Sequence, residues 1–335
     1  MNDRKVESSE LRVEGQRPGS AGASSINYQP STINPPHLSP NQRARRRFRN
    51  NRPAVIGLWF LLLVGLFVLI YPLFSPFRPE QLSDAQFQPP NRQHWLGTDV
   101  HGRDLLVRLC YGAQISLMVG VFGASVCLII GVLWGALAGY VGGRLDGTMM
   151  RMVDILYSMP SIILAVVFMA VLEPMIKNWL VAVHAPNIAT TARVLVLFVA
   201  LGAVSWLTMA RIVRGQVLSL RTRAFVEASR SLGAGPMRIL SRHIIPNIFG
   251  VVIVYLTLSV PAIVLYESFL SFLGIGIQPP MASWGSLIAE GADQMNPIRI
   301  YWWLLVFPSG VLVTTLLALN FLGDGLRDAW DVRGN

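Results

Sequence analysis

Charged residues are scarce in this sequence. Of its 335 residues, 14% are Asp, Glu, Lys or Arg, whereas 53% are hydrophobic. A soluble domain usually carries about 25% charged residues. Only two of the 28 basic residues are lysines, Lys5 and Lys177, so the net charge of +10 comes almost entirely from arginine. Together with the long uncharged runs described below, this composition argues against one large soluble core.

Cysteine is nearly absent, and the common enzyme motifs are missing. The two cysteines, Cys110 and Cys127, are not in a C-x-x-C spacing, and Cys127 lies in an apolar run, which predicts a buried free thiol. Neither lysine stands in the Gly-Lys-Ser/Thr sequence of a phosphate-binding loop, and no HExxH or GxSxG occurs. None of the five histidines lies within an apolar run. We therefore expect no catalytic residue, no cofactor and no metal site in this chain.

Six long apolar runs are present instead. Each is close to the roughly 20 residues that a helix needs to cross the hydrocarbon of a bilayer. A charged residue at the centre of such a span costs about 2.5–3.5 kcal/mol, so clean runs of this length are a strong signal. The sequence predicts an all-α, polytopic membrane protein with six transmembrane helices. The predicted spans are 54–74, 115–141, 155–172, 194–210, 248–266 and 300–322.

The distribution of Arg and Lys between these runs predicts an orientation. With the N-terminus in the cytoplasm, the cytoplasmic segments carry more than twice as many basic residues as the external segments. Cytoplasmic segments of membrane proteins are enriched in Arg and Lys, so both termini are expected on that side. Segment 41–52 alone has six arginines and no acid. Because it directly precedes an apolar run, we expect it to lie against anionic membrane lipid, and we expect no nucleic-acid partner.

Two features inside the spans are candidates for a pathway or a subunit interface. Gly131, Gly135 and Gly139 lie four residues apart on one face of the second span, where they let another helix approach closely. Ordinary packing within the membrane and a subunit or pathway interface are both open. Glu267, followed by Ser268, is the one acid in the apolar stretch around the fifth span. Such an acid marks a pathway in many membrane proteins. The alternative is that it caps the outer end of the fifth span.

The segment 211–247 is long, basic and interrupted by glycine and proline. Apolar residues at every fourth position predict a helix over 219–232, which ends at Gly233. A second short helix is expected over about 237–243. A helix–Gly–helix unit at the membrane surface is suited to docking on a cytoplasmic partner. A plain basic connector is the alternative.

This segment resembles the signature of ABC-importer permeases, which reads E-A-A, three residues, Gly, nine residues and I-x-L-P. The spacing from Glu227 to Pro246 fits, and Gly233 stands at the glycine position. The chain departs from the signature with Ser for Ala, His for Ile and Ile for Leu, at Ser229, His243 and Ile245. The histidine is typical of the peptide-permease branch, whose R-H-I-L-P-N stands here as R-H-I-I-P-N at 242–247.

Further motifs are similar to those of the second permease of dipeptide and oligopeptide importers. The resemblance covers about residues 40–335. The motifs are HWLGTD at 94–99, GRD at 102–104, YGA at 111–113, GYVGG at 139–143, ESFLSFLG at 267–274 and GDGLRD at 323–328.

The resemblance implies a type I ABC-importer permease fold in the inner membrane of a bacterium. Two related permease subunits would form the pathway, two cytoplasmic ATPase subunits would hydrolyse ATP, and an external binding protein would deliver a peptide substrate. This chain itself would not be an enzyme. The segment 211–247 would contact an ATPase and couple its closure to the pathway. The coupling residues so implied are Glu227, Ala228, Ser229, Gly233, His243, Ile244 and Pro246.

The chain is expected to divide into four stretches. Residues 1–40, rich in Ser, Pro and Gly, are predicted to be a disordered cytoplasmic tail. Residues 41–110 would hold the basic interfacial segment, the first transmembrane helix and an external loop. Residues 111–325 would form the permease core with the coupling loop, and 326–335 a cytoplasmic C-terminal tail.

Other functions remain open on the sequence alone. Related importers carry nickel, glutathione or opine-like solutes, so the cargo is a peptide or one of these. A secondary transporter or channel usually carries charges in several spans, and here only Glu267 qualifies. A membrane enzyme requires a convergent nucleophile, base or metal cluster, and the sequence contains no pattern that predicts one.

Overall fold

The computed structural model describes residues 40–182, 189–295 and 297–330. The predicted tail 1–40, apart from Pro40, and the last residues of the predicted tail 326–335 lie outside this part of the chain. Within it the regular secondary structure is helical, with one isolated β-bridge between Thr98 and Asp104. The helices are α1 (Pro40–Asn50), α2 (Arg52–Phe74), α3 (Leu105–Val141), α4 (Gly143–Tyr157), α5 (Ser161–Ala182), α6 (Ala189–Leu220), α7 (Ala224–Ser231), α8 (Pro236–Ile239), α9 (Ile245–Phe272), α10 (Trp284–Asp293) and α11 (Trp302–Trp330).

Six stretches of helix in the described ranges are long and apolar enough to cross a membrane, which confirms the predicted fold class. Large apolar side chains on their outer faces are exposed, such as Leu63 on α2 and Leu133 on α3, at 63% and 64%. Exposed apolar surface of this extent is expected of a surface that faces lipid. The six are Arg52–Phe74, Leu105–Val141, Ser161–Trp179, Arg193–Leu220, Pro236–Phe272 and Trp302–Trp330.

The structure corrects the predicted bounds of the second to sixth spans. The fifth, predicted as 248–266, lies within Pro236–Phe272, and the sixth, predicted as 300–322, continues as helix to Trp330. The second span begins at Leu105 rather than at 115, because Asp104 caps the helix by accepting the amide of Val107 at 3.0 Å. The predicted third span, 155–172, is two helices. They meet at Pro160, because the residue before a proline is disfavoured in the α conformation.

The fourth span also differs from its prediction. The helix does not end at 210 but continues as α6 to Leu220, so the first part of segment 211–247 is helical. Arg211 and Arg214 on this extension pair with acids of α4, which satisfies their charges beyond the apolar part of the helix. The charged residues at 211 and 214 therefore do not mark the end of the helix.

The centre of the protein is the packing of α3 along α6. The glycines at 131, 135 and 139 face α6 of the same chain. A Cβ atom at Gly131 would fall 2.6 Å from the Cβ of Met209, and one at Gly139 would fall 2.9 Å from the carbonyl oxygen of Arg214. The absence of side chains lets the two backbones approach. The structure thus gives these glycines a packing role within the subunit.

The short helix α10 lies against α3, α9 and α11. Ser283 caps it and forms a reciprocal pair of hydrogen bonds with Ser286, at 3.3 and 2.8 Å. Trp284, the first residue of the helix, is completely buried. This packing brings the start of α10 to the fifth and second spans, beside Glu267.

Candidate functional site

The α7–α8 segment, residues 224–239, has a defined turn at its centre. Gly233 has φ +79°, a left-handed conformation that side chains disfavour. Its amide donates to the carbonyl of Arg230 at 3.0 Å, and the amide of Ala234 donates to that of Ser229 at 3.1 Å. This pair of bonds is the Schellman motif that ends a helix. The glycine of the signature is therefore required by the backbone that joins α7 to α8.

The predicted helix over 219–232 is wrong at its start. The chain turns between Leu220 and Ala224, and the backbone amide of Arg223 donates to Leu220 at 3.0 Å. Helix α7 is consequently an eight-residue unit, Ala224–Ser231, separate from α6. Because Leu220 and Ala224, on either side of the turn, keep the four-residue apolar spacing, the periodicity of the sequence does not reveal the break between α6 and α7.

Three apolar side chains anchor the segment to the core. Val226 of α7, Ile239 of α8 and Ile244 are 0–1% exposed. All three belong to the same apolar cluster as the α3–α6 packing. Burying such side chains contributes about 1.5–3 kcal/mol each, which holds the segment in a fixed position under the spans.

The opposite face of the segment is uncovered. Phe225, Leu232 and Met237 are 40%, 88% and 74% exposed, and Glu227 and Ala228 of the signature are exposed beside them. Exposed apolar side chains next to charged ones form the kind of surface that a protein partner covers. This uncovered face, which we call the docking face, is the main candidate site of the described chain.

The remaining signature residues are divided between this face and the core. Ser229 is half-buried, and its hydroxyl donates to the carbonyl of Phe225 at 2.8 Å. His243 is half-buried and Pro246 is exposed in the first turn of α9, whereas Ile244 is completely buried. Ile244 accordingly supports the site from inside and presents no surface of its own.

The second predicted short helix, 237–243, is not a separate element. Helix α8 continues through a π-helical turn, Leu240–Ile244, directly into α9. The amide of Ile245 donates to the carbonyl of Leu240, the wider bond typical of a π-turn. The docking face is therefore joined by continuous helix to a membrane span.

Ion pairs fix the end of α6 that leads into this segment. Arg214 donates to both carboxylate oxygens of Asp146 on α4, at 2.5 and 2.7 Å. These hydrogen bonds, and the positive charges of Arg214 and Arg221, hold the pKa of Asp146 below its ordinary value. Arg221 also donates to the carbonyl of Gly139, at 3.1 Å. Sequence reasoning missed this network, because the acids and arginines are far apart in the chain.

Glu267 neither caps its span nor lies exposed: its side chain is completely buried. One carboxylate oxygen accepts the hydroxyl of Ser116 on α3 at 2.9 Å, and the other accepts that of Ser271 at 2.7 Å. Ser268 lies at 3.4 Å, and the hydroxyl oxygen of Ser116 accepts the backbone amide of Trp284, at the start of α10, at 3.3 Å. The ESFLSFLG motif thus forms a buried polar centre that joins α3, α9 and α10.

A second polar centre lies where α3 begins. Arg108, buried at 2% exposure, donates to Asp99 at 2.7 Å and to both oxygens of Glu290 on α10, at 2.5 and 2.9 Å. The imidazole of His94 lies 2.9 Å from Asp104. The HWLGTD and GRD motifs therefore tie the α2–α3 connection to α3 and α10.

Metal-ligating residues do not converge in the described part of the chain. Among residues 40–182, 189–295 and 297–330, no group of three or more His, Cys, Asp or Glu side chains could hold a metal ion. Cys110 and Cys127 are both buried and free.

Trp303, near the start of α11, is buried, and its indole N–H donates to the carbonyl of Thr98 at 3.2 Å.

A helical protein with six candidate spans and an uncovered, partly apolar face has the features of a multi-pass membrane component. Two known protein families match this chain. Residues 131–333 match the family described as binding-protein-dependent transport system inner membrane component, and residues 39–90 match the N-terminal TM domain of oligopeptide transport permease C. The chain belongs to the binding-protein-dependent permease family of ABC importers, and it is a multi-pass inner membrane protein.

Curated relatives are similar over most of their length. The chain is 44% identical over 293 residues to the oligopeptide transport system permease protein OppC of Haemophilus influenzae, covering 87% of this chain and 88% of that protein. It is 47% identical to OppC of Escherichia coli K12, covering 87% and 90%. It is 41% identical to the dipeptide transport system permease protein DppC of Bacillus subtilis, covering 91% and 89%. A chain of the MetNI methionine ABC transporter, solved in inward-facing conformations, has 23% identity and a TM-score of 0.49, covering 67% of this chain and 97% of that chain.

Proposed function

We propose that the chain is one permease subunit of an ATP-driven importer of dipeptides or oligopeptides. The observation that carries this proposal is the 40–47% identity to relatives named for oligopeptide or dipeptide transport, over at least 86% of this chain. The R-H-I-I-P-N sequence and the Glu267–Gly274 motif lie within the matched region. The presence of both motifs supports assignment of the chain to the peptide-permease branch.

The docking face is proposed to bind an ATPase subunit. Exposed Phe225, Leu232 and Met237 supply an apolar surface, and Glu227 supplies a charge at its edge. Val226 and Ile239 hold this surface against the spans. A rigid attachment is what coupling requires, because a loosely held segment would absorb the motion of the partner.

Closure of the ATPase would reach the membrane through the π-turn and α9. Helix α8 is continuous with α9, and α9 carries Glu267 in contact with Ser116 of α3. A displacement of α8 along its axis would therefore act on a span that is bonded to two other helices. ATP hydrolysis itself is assigned to the separate ATPase subunits.

The assembly proposed comprises this chain, a second homologous permease, two cytoplasmic ATPases and an external binding protein. Both termini of this chain would be cytoplasmic. The arginines of α1 would lie at anionic lipid, as the excess of basic residues in the proposed cytoplasmic segments supports. A reporter fused after Pro90 is expected to report an external position. A cytoplasmic signal there would show that the chain has the opposite orientation to the one proposed.

Uptake into proteoliposomes tests the function. The five-component assembly is expected to take up a labelled dipeptide or oligopeptide only with ATP and the binding protein, and to continue when ion gradients are collapsed. Uptake driven by an ion gradient without ATP would identify a secondary transporter. Nickel, reduced glutathione and an opine are tested in parallel, and uptake of one of these in place of peptide would replace the cargo assignment.

A further inference from the structure

An open groove of about 270 Å³ lies between α1 and the end of α11. Its lining is apolar or aromatic except for one arginine, and comprises Ala44, Arg45, Phe48, Leu326, Ala329 and Trp330. A site that encloses a whole small molecule usually has a volume of about 300–1,000 Å³. Because the groove is smaller and open, it can hold one part of a long apolar molecule, such as a section of an acyl chain.

Both walls of the groove are held by packing against the spans. A Cβ atom at Gly325 of α11 would fall 3.4 Å from Cε2 of Phe48, so this ring lies on the backbone of α11. A Cβ atom at Gly250 of α9 would fall 2.5 Å from Cε3 of Trp330, so the indole lies on the backbone of α9. The groove is therefore a fixed feature of the fold, and Trp330 connects it to the start of α9.

Three arginines of α1 stand beside the groove. Arg45 lines it, and Arg49 and Arg46 are its neighbours on the helix surface, since Arg49 is four residues after Arg45 and three after Arg46. All three are exposed, and no carboxylate in the described ranges pairs with any of them. Asp328 of α11 instead accepts the side-chain amide of Asn51 at 3.2 Å. This edge of the groove thus carries positive charge that no acid of the described chain balances.

The combination of arginines and groove selects an amphiphilic anion. A guanidinium binds phosphate through two parallel hydrogen bonds, and basic pockets beside membrane helices on the cytoplasmic side bind lipid head groups. A free phosphate would use the arginines and leave the groove empty. Arg45 belongs to both features. A ligand whose phosphate lies on the arginines can therefore place an attached chain in the groove.

Residues 1–39 are the part of this chain that could cover the same surface. They carry no net side-chain charge, because four acids are matched by four basic residues. These are the acids Asp3, Glu7, Glu10 and Glu14 and the basic residues Arg4, Lys5, Arg12 and Arg17. A segment without net charge would not offset the repulsion among the arginines of α1. Charge complementarity therefore favours an anionic lipid over this segment.

We propose that the groove and the three arginines form a binding site for one anionic phospholipid, with its phosphate on the arginines and part of one acyl chain between α1 and α11. This site differs from a general attraction of segment 41–52 to a charged membrane, because it requires particular arginines and the groove. The bound lipid contacts Trp330 and, through it, the start of α9, which the π-turn joins to the docking face. The inference uses the proposed cytoplasmic position of α1 and does not depend on the cargo.

Native mass spectrometry of the purified full chain with added phosphatidylglycerol tests the arginines. Arg45→Gln/Arg49→Gln is expected to weaken binding of this lipid about tenfold, which corresponds to 1.4 kcal/mol. The matched control is Arg43→Gln/Arg52→Gln, which removes the same charge from the same basic segment at two residues that do not line the groove. The control is expected to bind like wild type. Equal weakening in both double variants would show general attraction and overturn the site.

A substitution in the groove tests the acyl chain separately. Ala44→Trp, at a half-buried position of the lining, is expected to weaken binding of phosphatidylglycerol while the three arginines remain. Unchanged affinity in this variant would overturn the proposal, and so would equal affinity of the wild-type chain for phosphatidylcholine.

Two further measurements distinguish the lipid from other occupants. Glycerol phosphate and inorganic phosphate are expected to compete at least tenfold less well than the lipid. Equal competition would identify a free-anion site instead. Binding of phosphatidylglycerol that appears only after deletion of residues 1–38 would show that this segment occupies the groove, which also overturns the proposal. These measurements require neither ATP nor peptide, so a failure of the proposed import would be seen separately, as an importer that takes up no peptide.

Discussion

Ser116 and Glu267, 151 residues apart in the chain, join α3 to α9 through a buried hydrogen bond of 2.9 Å. The hydroxyl oxygen of Ser116 also accepts the backbone amide of Trp284, at 3.3 Å, at the start of α10. Its one hydrogen is therefore committed to the carboxylate. Ser271 repeats this arrangement, since it accepts the amide of Ile277 and donates to the other carboxylate oxygen. A single acid thus holds three helices in register.

Replacing Glu267 is expected to destabilise the protein. Glu267→Ala leaves the buried hydroxyls of Ser116 and Ser271 without their acceptor, at a cost of about 1–3 kcal/mol for each buried group left unsatisfied. Glu267→Gln retains one acceptor oxygen and should lose less. Thermal unfolding of the purified chain measures both, with Asp293→Asn, an exposed acid, as reference. A loss no larger than that of the reference would show that the centre contributes nothing to stability.

Gly233 is expected to be essential for the shape of the docking face. Gly233→Ala forces a side chain into the left-handed region, at about 1–2 kcal/mol, and should reduce the amount of ATPase that co-purifies. Gly233→Asn should be milder, because Asn tolerates this conformation. Gly235→Ala is the matched control, since Gly235 has φ −68° and open space around its Cα. Equal recovery of ATPase with the two alanine variants would contradict the proposed docking.

Arg108 should be more important than the arginines at the surface. Arg108→Gln removes the buried guanidinium that Asp99 and Glu290 share, and removing one member of a buried ion pair typically costs about 3–5 kcal/mol. Arg103 still pairs with Asp99 at 2.7 Å and with Glu290 at 3.4 Å, so the loss should lie at the lower end of that range. Arg108→Lys should recover only part of this loss, because an ammonium cannot bond two carboxylate oxygens in parallel. Urea or thermal unfolding gives the difference. Arg92→Gln, an exposed arginine of the same connection, is expected to have almost no effect.

The Asp146–Arg214 pair should make stability dependent on pH. The pKa of Asp146 is held below its ordinary value, mainly by the hydrogen bonds from Arg214. The stabilising contribution is therefore complete above the unfolded pKa, near 3.9, and is lost as the pH falls through the lower folded pKa. Asp146→Asn should be less stable than wild type at pH 7, and the difference should shrink on acidification over that interval.

The control for this pH effect is Asp154→Asn. Asp154 pairs with Arg211 at 2.7 Å, but its side chain is 63% exposed. Exposed ion pairs contribute only about 0–1 kcal/mol, so this variant should follow wild type across the same pH range. A difference between wild type and Asp146→Asn that persists unchanged below the folded pKa would show that ionisation of Asp146 is not the cause.

Hydropathy and motif spacing determined the class of this protein. Runs such as 54–74 are long and uncharged enough to cross the hydrocarbon of a bilayer as a helix. The signature from Glu227 to Pro246 lies in the segment that carries the docking face, whose binding to an ATPase stays a prediction. These features are local, since each depends on residues near one another in the chain.

Only the tertiary structure decided where α6 ends, what the glycines of α3 contact and which partners Glu267 has. Helix α6 ends at Leu220, and the next residue, Arg221, donates to the carbonyl of Gly139 on another helix, a contact that no local pattern encodes. Glu267 is an acid in an apolar run by sequence, but its function as a junction depends on Ser116, 151 residues away. Sequence fixes which residues must leave water, whereas the pairing of their polar groups depends on how helices pack.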